Sequence, residues 1–294
     1  MPSQRSVPSS PRLEGRAILV TGSTRGIGRA IAERAALEGA LVVVTGRDAS
    51  AGEMVVSSIE ATGGRALFHP ADVTRADEVE ALVAAAADAG SVLRGLVVNA
   101  ASVELGNGDG PVTEIELADW ERMMTANLTS VFLTLKFGLR AMVDAKGGGS
   151  VVLIGSLAAT RGLVGMDGYT TAKGGMAALN RSVATYYSRY RIRCNYVSLG
   201  LVDSGTERAV RAMQSSEFRR ANAAWQLGRI GRPEEVATVA AHLLSDESSF
   251  MNGAQVPLDG GAFAASHKPQ PSVGDLPGIS REAWDEVDGE VGVG

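Results

Sequence analysis

The chain has 294 residues, 45% hydrophobic and 21% charged, which is enough for one substantial core and suits one large α/β domain with tails. A net charge of −5 with three Trp, five Tyr and six Phe gives neither the basic field nor the stacking platform of a nucleic-acid binder. The single cysteine, Cys194, excludes a disulfide within the chain and reads as a buried structural thiol. His69, His242 and His267 lack metal-ligand spacing, so no metal is expected.

In chain order, residues 1–14 are rich in Ser and Pro without an apolar run. They read as a flexible lead-in, not as a signal peptide or membrane anchor. No stretch reaches the apolar length of a membrane span, so the expected protein is soluble and cytoplasmic. Short β-branched runs predict strands at 17–20, 41–45, 66–69, 95–98, 150–154, 193–197 and 255–258. Between them Ala-rich amphipathic patterns predict helices at 27–38, 51–61, 76–89, 117–145, 169–190, 206–222 and 233–244. Pro233 suits the first turn of the last helix, where its missing N–H has no intrahelical partner. This alternation predicts an α/β fold, a Rossmann-type doubly wound seven-stranded parallel sheet with helices on both faces, as a single domain over residues 15–261. Residues 262–294 hold two basic and six acidic side chains among Gly and Pro, an acidic C-terminal extension.

The first strand runs into Thr21-Gly22-Ser23-Thr24-Arg25-Gly26-Ile27-Gly28 and then a helix, bringing backbone N–H groups and the positive helix end to where a pyrophosphate can sit. Tyr169 and Lys173 lie four apart on a predicted helix, so phenol and ammonium address one small volume. A fixed positive charge lowers a phenol's pKa from about 10, and the pair reads as a general acid/base tuned toward neutral pH. Ser156, thirteen residues before Tyr169, follows an apolar strand and so falls at the carboxyl edge of the sheet, where ligands bind in such folds.

These residues resemble the short-chain dehydrogenase/reductase family, whose T-G-x-x-x-G-x-G loop matches the one above. The likeness runs from about Leu13 to Gly261: Asp72-Val73 looks like the family's adenine-contacting pair, Asn99-Ala100-Ala101 its Asn-Ala-Gly, and Gly231-Arg232-Pro233-Glu234-Glu235 and Asp259-Gly260-Gly261 its C-terminal signatures. Asn127, Ser156, Tyr169 and Lys173 match its catalytic tetrad. The resemblance implies that Ser156 binds the substrate oxygen, Tyr169 exchanges its proton, Lys173 also holds the nicotinamide ribose, and Asn127 positions a relay water. It further implies cofactor contacts from the glycine loop (Gly22, Ser23, Thr24, Arg25, Gly26, Ile27, Gly28), from Arg47, Asp72, Val73, Asn99 and Ala100, and from Gly200, Val202 and Ser204. An acidic residue after the second strand selects NAD in this family; here Gly46 and Arg47 follow it and Arg25 lies in the loop, so NADP(H) is expected. Ala101 in place of Gly, Val98 where Asn is frequent, Leu199-Gly200 in place of Pro-Gly, and Ser204 where Thr is common depart from the pattern without removing a reacting group.

The implied activity is interconversion of a ketone and a secondary alcohol. Loops at 102–111, 157–167 and 199–227 are expected to form the pocket, with Leu163, Val164, Met166, Met213 and Trp225 favouring a small-molecule carbonyl or alcohol of hydrophobic character. Residues 207–232 carry six arginines against two glutamates; this run suits either a solvated helix face or an acidic partner such as an acyl carrier protein bearing a 3-oxoacyl thioester. An isomerase or dehydratase, or a cofactor-binding scaffold, on the same fold stay open as alternatives. By resemblance a homodimer or homotetramer is implied.

Overall fold

The computed structural model describes residues 11–101, 108–203, 227 and 229–264. The expected helix at 206–222, together with Ser204, Met213 and Trp225, lies outside the described residues. The chain divides into two units, Met1–Phe263 and Ala264–Gly294, and only Ala264 of the second is described.

Seven strands, β1 (Arg16–Val20), β2 (Leu41–Gly46), β3 (Arg65–Pro70), β4 (Val92–Val98), β5 (Gly149–Ile154), β6 (Ile192–Leu199) and β7 (Gln255–Leu258), form one sheet in the order β3-β2-β1-β4-β5-β6-β7. Every pairing is parallel, so all strands end at one edge and the order reverses between β1 and β4, the expected doubly wound topology.

Strand alternation sends residues i and i+2 to the same face. Ile18, Val20, Val42, Val44, Val97 and Val152 therefore share one core layer with α1 (Gly26–Leu37), α2 (Ala49–Glu60) and α7 (Pro233–Leu244). Leu19, Val43, Leu96, Val98, Val151 and Leu153 join the opposite layer with α3 (Ala76–Ala87), α5 (Ser130–Asp144) and α6 (Asp167–Tyr187). Cys194 is fully buried in that second layer, and burial pushes its thiol pKa up.

Several expected boundaries shift: β4 begins at Val92 and not at 95, and α6 runs from Asp167 to Tyr187 and not from 169 to 190. The predicted helix at 117–145 is α4 (Leu117–Met124), a π-helical turn at Thr125–Thr129 and then α5. The lead-in shortens as well: Leu13 is completely buried, its N–H donates to the Glu38 carbonyl, and Arg12 pairs with the Glu38 carboxylate. The folded body thus begins before residue 15, because an apolar side chain and a paired cation anchor the strand's approach.

No helix among the described residues is long and apolar enough to cross a membrane, and no group of three or more His, Cys, Asp or Glu among them is disposed to hold a metal ion.

Candidate active site

The parallel sheet delivers the loop after each strand to one edge. After β1 the chain turns through Gly22 (φ +64°) and Gly26 (φ +55°) into α1. A Cβ on Gly28 would lie 2.2 Å from the Gly22 carbonyl oxygen and 2.5 Å from Asn99 Nδ2, and one on Gly22 2.9 Å from Ala100 Cα. Only glycine admits this close packing and this backbone conformation. The result is a cradle of backbone N–H groups at a helix N-terminus, which fits a dinucleotide pyrophosphate.

Ser23, Thr21 and Asn99 build that cradle. The buried Ser23 hydroxyl donates to the Val20 carbonyl at 2.7 Å and accepts from Thr45 N–H at 2.9 Å. Thr21 Oγ1 accepts from the N–H groups of Asn99 and Ala100 at 3.0 and 3.1 Å. The Asn99 amide donates to the carbonyls of Thr21 and Gly22, both at 3.0 Å. These side chains lock the ends of β1, β2 and β4 together, and the N–H groups of Ser23 and Asn99 are spent in the same lock, on the Thr45 carbonyl and on Thr21 Oγ1.

At the end of β2, Gly46 packs against Thr24: a Cβ there would meet the Thr24 methyl at 2.7 Å. Arg25 and Arg47 are exposed beside it. After β3, Asp72 Oδ1 accepts from the N–H and hydroxyl of Thr74 at 2.9 and 2.7 Å. Desolvation pushes this carboxyl up, but the Thr74 hydrogen bonds and the charges of Arg47 and Arg75 outweigh it and hold the pKa below the ordinary value. Arg47 and Asp72 thus face each other electrostatically across the ends of β2 and β3.

After β5, Ser156 caps a short 3-10 turn (Leu157–Ala159), its Oγ accepting from Ala158 N–H at 3.1 Å. Tyr169 and Lys173 lie in the first two turns of α6, with the ammonium 5.6 Å from the phenol ring centroid. Lys173 is buried, and desolvation pushes its pKa down to about 8. Asn127 lies fully buried in the π-helical turn, its amide donating to the Met123 carbonyl at 3.2 Å. The turn packs on α6 where Gly175 leaves room: a Cβ there would meet Leu128 at 2.8 Å. After β6, Gly200 N–H donates to the Leu258 carbonyl, and Val202 forms an isolated parallel bridge with Gly231. Leu163, Val164 and Met166 belong to the loop before α6, Val164 fully exposed.

Two site-supporting residues are absent from the sequence reading. Asp109 accepts from the N–H groups of Gly168 and Tyr169 at 2.9 and 3.0 Å, capping α6 from the segment after β4. In return Val112 N–H donates to Asp167 Oδ2 at 2.9 Å. Tyr196, in β6, hydrogen-bonds the backbone of Ser156. Neither partner is near in sequence, and both residues stand among other polar ones, Asp109 in a Gly-rich stretch and Tyr196 in a strand that also holds Arg193, Asn195 and Ser198, so no local signal marks them.

A family described as enoyl-(acyl carrier protein) reductase matches residues 22–262. The chain is 40% identical over 255 residues to a cis-4-hydroxycyclohexanecarboxylate dehydrogenase of Sinomonas cyclohexanicum, covering 85% of this chain and 97% of that one. It is 35% identical over 258 residues to 2-(S)-hydroxypropyl-CoM dehydrogenase 3 of Xanthobacter autotrophicus, covering 87% and 99%. Among solved structures, a gluconate 5-dehydrogenase from Burkholderia cenocepacia J2315, in complex with NADP and tartrate, superposes with a TM-score of 0.80 at 28% identity, covering 87% of this chain and 98% of that one.

Proposed function

The chain belongs to the short-chain dehydrogenase/reductase family and is an oxidoreductase of the CH–OH group; from that premise we propose that it interconverts a small apolar, ring-borne secondary alcohol and its ketone, using NADP(H), with Tyr169 as proton-transfer group. The observation that carries the reading is the pairing of a buried ammonium, Lys173, with the Tyr169 ring one helical turn away. A cation held this close favours the phenolate, bringing the phenol within reach of proton exchange near neutral pH. Ser156 Oγ accepts from Ala158 N–H, which directs its own hydrogen elsewhere and leaves it to orient a substrate oxygen. Asn127, in a π-helical turn of the kind found at functional sites, would hold a water behind Lys173.

The cofactor, when bound, supplies or accepts the hydride. Gly22, Gly26 and Gly28 would admit its pyrophosphate, Thr24 and Ile27 would flank it, and Asp72 with Val73 would border the adenine. Ala100, Gly200 and Val202 would line the nicotinamide end. NADP(H) is favoured because Gly46 lacks a carboxylate for a ribose 2′-hydroxyl, whereas Arg25 and Arg47 supply charge for a 2′-phosphate. The gluconate dehydrogenase structure with NADP supports the same choice. For the substrate, the loop side chains Leu163, Val164 and Met166 favour an apolar body, and the hydroxycyclohexanecarboxylate named for the Sinomonas relative favours an alcohol borne on a ring.

Calorimetric titration with NADPH and NADH, followed by oxidation of cyclohexanol and open-chain secondary alcohols, tests the proposal. NADPH is expected to bind more tightly, and Tyr169→Phe to abolish turnover while leaving nucleotide binding nearly intact. Preference for NADH would overturn the cofactor assignment, and a Tyr169→Phe rate near wild type would overturn the mechanism.

A further inference from the structure

We infer that Tyr196 is a positioning residue for Ser156: its phenol hydroxyl grips both backbone polar groups of that residue and so fixes where the Ser156 hydroxyl points. Ser156 N–H donates to the Tyr196 oxygen at 2.7 Å, and the Tyr196 O–H donates to the Ser156 carbonyl at 3.0 Å. A buried tyrosine needs one partner for its hydroxyl; this one commits its donor and an acceptor site to a single residue.

The backbone at that point has left the sheet. The last ladder-like bond on this side is Gly155 N–H to the Val197 carbonyl at 2.9 Å, and Ser156 continues extended, at φ −148° and ψ 154°. The phenol takes over where no strand is available to pair it. The chain also gives up a side chain to let the ring through. A Cβ on Gly155 would lie 1.8 Å from Tyr196 Cζ and 2.1 Å from its oxygen, and Gly155 is not among the positive-φ glycines. Space, not backbone conformation, requires the glycine. From Ser156 the restraint passes on, because its Oγ accepts from Ala158 N–H in the same short turn. Desolvation raises the Tyr196 pKa, opposed by the Ser156 bond and reinforced by Tyr169, so the hydroxyl remains a donor throughout the working pH range.

The inference rests on the reading of Ser156 as the group that orients the substrate oxygen, and the test separates the two. In Tyr196→Phe, the Ser156 amide is expected to exchange its hydrogen faster while amides in β5 do not. This readout needs no substrate, and unchanged exchange would overturn the inference. In single-turnover NADPH oxidation with the best ketone of the panel, scored per nucleotide-binding site, Tyr196→Phe should slow turnover about tenfold to a hundredfold without weakening nucleotide binding. In a Ser156→Ala background it should slow it no further, since the two residues act as a unit. An equal loss in both backgrounds, or none in either, would overturn the positioning role. Should Tyr196→Phe not fold, p-aminophenylalanine at position 196 keeps the ring and a donor, and is expected to give an intermediate rate with Ser156 present and no change without it; full wild-type rates would again overturn the role. A Ser156→Ala enzyme as fast as wild type would instead refute the site reading itself.

Discussion

Lys173 is a residue the fold tolerates at a cost. Its ammonium is buried beside Tyr169, and desolvation lowers its pKa from 10.5 to about 8. A lysine whose folded pKa is depressed holds fewer protons than in the unfolded chain between the two values, so stability rises with pH across that window. Below pH 8 the penalty is present in full, on the order of 3 kcal/mol at 1.36 kcal/mol per unit. Lys173→Met should therefore raise Tm of the nucleotide-free protein by several degrees at pH 7 while removing activity, and the gain should fade as pH approaches 10.5. Thermal unfolding across pH checks this; a lower Tm at pH 7 would mean that the ammonium stabilises the fold. Stability given up for function is the ordinary trade at active sites.

At the scale of elements, the glycine loop shows how little freedom the cradle has. Gly28→Ala brings a methyl within 2.5 Å of both the Gly22 carbonyl oxygen and the Asn99 amide, neither a flexible chain end. Nucleotide binding is expected to fall below detection by calorimetry, with a lower Tm; retained affinity would show that the loop can open. This loop and the seven strands were legible in sequence because apolar runs, glycine spacing and helix periods are local patterns. The π-helical turn was not: one extra residue in a turn hardly disturbs a 3.6-residue apolar period, so residues 117–145 read as one helix. Asp109 was equally hidden, since it caps a helix 58 residues further on, and capping is recognisable in sequence only when the cap adjoins its helix. The Ser23 hydroxyl is the reverse case. It lies inside a recognisable motif, yet burial turns it to Val20 and Thr45.

Across the whole molecule, the start of the described chain is joined to its last helix. Arg12 donates to both oxygens of the fully buried Glu38 carboxylate and to Glu247 at 2.7 Å, while Arg34 reaches Glu38 from within α1 at 2.5 Å. Arg16 and Arg193 donate to the carbonyls of Leu244 and of Leu243 and Ser245, satisfying the buried C-terminal end of α7 as cations at helix C-termini do. Arg12→Ala leaves Glu38 with Arg34 alone and should cost about 2 kcal/mol, lowering Tm by about 4 to 8 °C. Differential scanning calorimetry reads the change, and an unaltered Tm would mean that Arg34 suffices. The same connection sets an order of events during synthesis. A nascent chain exposes the apolar face of α1 early, whereas α7, which covers it, and residues 246–247, which fasten the beginning, emerge more than 200 residues later. For most of translation that helix waits without its cover, its apolar face open to the wrong contacts that transiently exposed hydrophobic surface invites.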